Sequence, residues 1–199
     1  MAGNTEQGGG RRASRWRITA WGVAALILLL PLLAMQLTDE MNWGVADFVI
    51  VGALLLGAGL TYELVARMTA NIAYRAAVGV AVATALLLIW ANLAVGLIGA
   101  EDNPANLMFF GVLAIGIIGA VIARFQPNRM ARALFVTALA QASVAVIALI
   151  AGWGSTGPSW PKDILILTAF FAALWIISAW LFRKAAQHNK ARQPSMSER

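Results

Sequence analysis

The chain has 199 residues, of which 60% are hydrophobic and 12% charged, with a formal net charge of +6 and a mean hydropathy of +0.74. Soluble domains carry about 25% charged residues, and disordered chains are polar, so both classes are excluded. What remains is an all-α integral membrane protein. With no Cys, disulfides and thiolate-held metals are excluded, and the only His, His188, lies in the polar C-terminal stretch. Neither a histidine-ligated haem within the membrane nor a Ser–His–Asp triad can be assembled, and no metal or cofactor is expected.

Six apolar runs approach the 20 or so residues needed to cross a bilayer. Residues 1–17 read as a flexible basic cytoplasmic tail. The first span, Ile18–Leu37, contains Pro31, which predicts a kink. Its Arg-rich start resembles a signal peptide, but the run is too long and no A-x-A site follows, so an uncleaved helix is expected. The later spans are Phe48–Ala66, Ala76–Gly99, Leu107–Ala123, Ala133–Trp153 and Ile164–Phe182. Together they make a six-helix transmembrane domain over residues 18–183, followed by a basic cytoplasmic tail, 184–199.

Charge orients the spans. One side carries 14 of the 15 Lys and Arg residues, and Lys162 stands alone on the other side with Asp39, Glu40, Asp47, Glu101, Asp102 and Asp163. The positive-inside rule puts both termini in the cytoplasm. In such a chain the basic excess implies anionic lipid as partner, rather than nucleic acid.

An internal repeat is visible at an offset of 57 residues. Arg67, Asn71 and Arg75 align with Arg124, Asn128 and Arg132. Spans two–three and four–five then form a parallel tandem repeat of two helical hairpins, with a pseudo-twofold axis along the membrane normal. The ordinary reading of the same residues is a turn whose arginines reach lipid phosphates, so Arg67, Arg75, Arg124 and Arg132 are candidate lipid-phosphate contacts. Small residues recur at i, i+4, densest in span four, and suit close helix approach within the chain or against a second copy.

Polar residues inside the membrane are candidates for function. Glu63 precedes Arg67 by four residues, the favourable order for a helical ion pair. It reads as an anchor near the cytoplasmic end or, in the sharper reading, as a relay. Thr84, Asn92 and Gln141 lie nearer the midplane and either join helices or line a cleft. In the outer connection, Glu101, Asp102, Asn103 and Pro104 read as a helix cap, with Asn103 at N-cap, Pro104 at N1 and acids beside the positive dipole end. Two adjacent carboxylates also suggest a weak hard-cation site.

The stretch from Met41-Asn42-Trp43 through Ala66-Arg67, with Tyr74-Arg75-Ala76-Ala77, Trp90-Ala91-Asn92-Leu93-Ala94-Val95-Gly96, Glu101–Asn106 and Ile122-Ala123-Arg124-Phe125, resembles segments of small, uncharacterised proteobacterial multi-pass inner-membrane proteins. The likeness covers about residues 41–152. It implies a four-helix unit in a bacterial inner membrane and supplies no activity. The expected function is that of a non-enzymatic packing or accessory partner of lipids, of another membrane protein or of a second copy. The alternative is a small-solute or ion transporter or channel built on the hairpin repeat.

Overall fold

The computed structural model describes residues 21–22, 26, 29, 32–33, 35–36, 44–94, 96–100, 102–155 and 159–192. The ordered elements among them are helical. They are α1 (Val45–Met68), α2 (Ile72–Ala94), a 3-10 turn (Pro104–Leu107), α3 (Met108–Ile122), α4 (Pro127–Ala151) and α5 (Lys162–Arg192). Among the described residues, five helical segments are long and apolar enough to cross a membrane, the 3-10 turn and α3 together making one of them. Of the expected first span, eight positions are described, all helical, and the remainder, Pro31 included, lies outside the described residues. So do residues 1–17 of the first tail and 193–199 of the second.

The chain divides into two compact units, 1–61 and 62–199. In the first, the Trp21 ring covers Gly59, where an added Cβ would come within 2.8 Å of the indole. Gly44 N–H donates to the Asp47 carboxylate at 2.8 Å, closing the turn that starts α1. No residue of α1 is buried.

The second unit has its core where α5 packs against both α2 and α4, while α3 packs on α4. α2 and α5 run antiparallel. Tyr74 meets Phe182 edge-to-face with ring centroids 5.1 Å apart, and the Ser178 hydroxyl donates to the Ala77 carbonyl at 2.7 Å. The buried side of α5 follows a four–three alternation through Ile164, Thr168, Phe171, Trp175, Ser178, Phe182 and Ala185. On α4 the same alternation runs through Met130, Leu134, Thr137, Gln141, Val144 and Ala148. A 3.5-residue repeat is what keeps a seam facing its neighbour along a shallow left-handed crossing. Two of these helices are thus matched over most of their length by pattern as well as by apolarity.

Helix ends differ from the apolar runs for identifiable reasons. α2 ends at Ala94 rather than at Gly99, because Gly96 turns to φ +70° and an L-residue there would drive its Cβ to 2.5 Å from the Ala100 carbonyl. α4 begins six residues before the apolar run, at Pro127, whose missing N–H and preset φ suit the first helical position. α5 continues through Arg183 and Lys184 to Arg192, across the first half of the expected tail. Charge does not stop a helix that leaves the bilayer, and Ala185 and Ala186 remain buried.

Candidate functional site

At the end of the second unit that carries the arginines, Asn71 immediately precedes α2. Its side-chain oxygen accepts from Tyr74 N–H at 3.2 Å, and its amide donates to the Ala185 carbonyl at 3.2 Å and to Asn189 Oδ1 at 3.0 Å. One side chain therefore caps α2 and ties it to the last turns of α5. Tyr74 OH donates to the Phe125 carbonyl at 2.7 Å, which joins the start of α2 to the α3–α4 turn. In that turn Arg124 and Phe125 have φ of 48° and 56°, the left-handed region that costs non-glycine residues about 1 kcal/mol each.

The residues aligned by the proposed repeat occupy unlike positions. Arg67 lies inside the last turn of α1, whereas Arg124 lies beyond the end of α3. Asn71 precedes its helix, whereas Asn128 is the second residue of α4 and is exposed. Arg75 is half-buried in the first turn of α2, and Arg132 is exposed on the second turn of α4. Arg67 pairs with Glu63 at 2.6 Å, with Arg67 67% exposed and Glu63 16%. That is a local helical pair of the kind worth a few tenths of a kcal/mol.

Between α3 and α4, at the same end, lies an open groove of about 540 Å³. Ile115, Ile118, Ile122 and Val136 form its apolar walls, Gly119, Ala123 and Ala133 its floor, and Arg129 and Arg132 its polar end. Gly119 sets the helix separation, since a Cβ there would lie 2.9 Å from that of Ala133. No side chain caps the first turn of α4 beside the two arginines. Arg129 was not singled out in the sequence; its spacing of three from Arg132 is the signal that both share a helix face.

In the core, the hydroxyls of Thr84 and Thr137 donate to carbonyls one turn back in their own helices, at 2.7 and 3.0 Å. They need no other partner. Gln141 differs. It is fully buried on the seam of α4, and neither its amide nitrogen nor its oxygen has a hydrogen-bond partner among the described residues. The Trp175 indole nitrogen and the Asn92 side-chain oxygen are likewise buried without partners among the described residues.

At the opposite end the organising residue is Asn106. Its side-chain oxygen accepts from Leu97 and Ile98 N–H, both at 2.9 Å, and its amide donates to the Ala100 carbonyl at 2.8 Å. Asn92 donates to the Asn106 carbonyl at 3.2 Å. Asn103 stands at the N-cap of the 3-10 turn, accepts from Ala105 N–H at 3.0 Å, and is followed by Pro104. Asp102 is exposed, and Glu101 lies outside the described residues. Gly99 and Gly154 bring this loop against the α4–α5 connection, with a Cβ on Gly99 falling 3.1 Å from Gly154 Cα. The sequence points to Asn103 by its place before proline. Nothing local marks Asn106, because its role is to satisfy backbone groups eight and nine residues earlier. No family profile, curated protein sequence or solved structure matches the chain.

Proposed function

We propose that the chain is a small polytopic protein of a bacterial inner membrane that acts through lateral contacts, as a non-enzymatic accessory partner of lipids and of another membrane protein or a second copy. The observation that carries this reading is how the polar groups within the apolar helices are used. Thr61, Thr84, Thr137 and Ser143 each bond a carbonyl of their own helix, and Ser178 bonds α2. Those bonds serve helix integrity and helix–helix attachment, and they take up the O–H donor of each hydroxyl. In this reading six spans cross the membrane, with both termini and the arginine-bearing turns in the cytoplasm, where anionic lipid is the natural counter-charge. The Arg–Asn–Arg spacing enters as the trace of a duplicated hairpin whose two turns have diverged in local geometry.

Gln141 favours one competing reading. A buried amide without partners is the kind of group that a transported solute or a water chain would satisfy. Gentle extraction with endogenous lipid, followed by identification of stoichiometric companions, separates the two. A companion protein or a defined oligomer supports the lateral-contact reading. Solute flux in proteoliposomes that is lost in Gln141→Leu replaces it with the transporter reading.

A further inference from the structure

We infer that the groove between α3 and α4 is a binding site for one anionic phospholipid, its phosphate held by Arg129 and Arg132 and one acyl chain lying along Ile122, Ile118 and Ile115 opposite Val136. This deepens the lateral-contact reading by naming a lipid site, and it rests on that reading only for the protein's being in a bilayer.

Three observations converge on this occupant. The groove is apolar along its length and charged at one end, so it matches a ligand that is itself apolar with one charged end. Ile115 and Ile122 are seven residues apart on one helix, about 10 Å, the length of a substantial part of an acyl chain. The two arginines share one face of the first turns of α4, beside a helix start that no side chain caps. Guanidinium groups bind phosphate through paired N–H donors, and the positive end of the helix adds to the same field. Ile118 and Ile122 are 58% and 71% exposed, so the walls are open to a chain arriving laterally. A second protein helix would find a different fit. The two arginines at the end of the groove match a phosphate at that height, and an anionic phospholipid presents one with no headgroup cation to offset its charge.

Selectivity comes from the headgroup, because an acyl chain leaves one apolar environment for another. The test uses the full-length protein in nanodiscs or detergent, titrated with phosphatidylglycerol or phosphatidylcholine of equal chain length and read by native mass spectrometry. Wild type should retain phosphatidylglycerol in preference, and Arg129→Gln/Arg132→Gln should lose about 30-fold, as two interfacial charges imply. Arg183→Gln/Lys190→Gln removes the same charge elsewhere and should leave retention unchanged. Ile118→Trp fills the groove from an exposed position and should weaken retention with both arginines intact. Soluble glycerol phosphate should not compete, since it lacks the chain. Equal losses in the two charge-neutralised variants, or unchanged retention in Ile118→Trp, would overturn the site. Either result would leave the companion protein or oligomer of the broader reading untouched, so the two failures are distinguishable. A second copy seated in the groove would show instead as a dimer disrupted by Ile118→Trp and insensitive to headgroup.

Discussion

Two asparagines three residues apart do different work, and their mutational costs should differ accordingly. Asn103 supplies one cap bond, and Asn103→Ala should cost about 1 kcal/mol. Asn106→Ala strands the buried N–H groups of Leu97 and Ile98 and gives up the bond to the Ala100 carbonyl, at about 3 kcal/mol in total. Thermal unfolding in detergent should therefore rank Asn106→Ala well below Asn103→Ala, and the reverse order would remove Asn106 from its organising role. Gln141 gives the opposite sign. Burying both ends of an amide without partners is unfavourable by a few kcal/mol, so Gln141→Leu should raise the melting temperature. A fall on that substitution would mean that the amide is satisfied in the membrane, by water or by a ligand.

The α3–α4 turn shows what short connections demand. The chain reverses in four residues, and it does so with Arg124 and Phe125 in the left-handed region, held from outside by Tyr74. Arg124→Gly should consequently stabilise the fold by up to about 1 kcal/mol, since glycine adopts that conformation without steric cost. A loss of stability would show that the Arg124 side chain contributes more than its backbone strain removes. At the α1–α2 turn the stabilising group is a side chain. Asn71→Ala gives up three hydrogen bonds, two of them to α5, whereas Asn128→Ala changes an exposed residue within the first turn of α4. Unfolding of the two variants should separate by 1–2 kcal/mol. Equal behaviour would restore the equivalence that the repeat alignment assigns to them.

For the molecule as a whole, topology is directly testable because the chain has no native Cys. In intact cells Asp102→Cys should label from outside, and Asn128→Cys and Lys190→Cys only after permeabilisation. Outside labelling at 128 would break the six-span arrangement. The sequence made the later spans legible, because an apolar run of that length has no other stable outcome in lipid. Their ends were less legible. Apolarity stops at the interface, but the hydrogen-bonded backbone of α4 and α5 runs on through Arg129 and Arg183. The seam of α5 was present as a spacing of Thr168, Phe171, Trp175 and Ser178, yet in a helix apolar on every side no contrast picks out one face. The candidate site followed the same rule. Asn103 and Arg132 announced themselves through neighbours in the chain, whereas Asn106 and the groove depend on residues brought together by packing.

The helix α5 is a rod. Its 31 residues contain neither glycine nor proline, and at 1.5 Å per residue they extend about 46 Å, well beyond a hydrocarbon layer of about 30 Å. Sharp kinks need one of those two residues or an inserted group, so α5 has no joint in it. Ile164 near one end and Phe182 toward the other belong to the same unbroken helix, so a rotation of α5 about its axis shifts the seams against α2 and α4 together. A partner that binds the turns past Arg183 would thus bear on a helix packed against both α2 and α4, and, through the Asn71 bonds to Ala185 and Asn189, on the start of α2 as well.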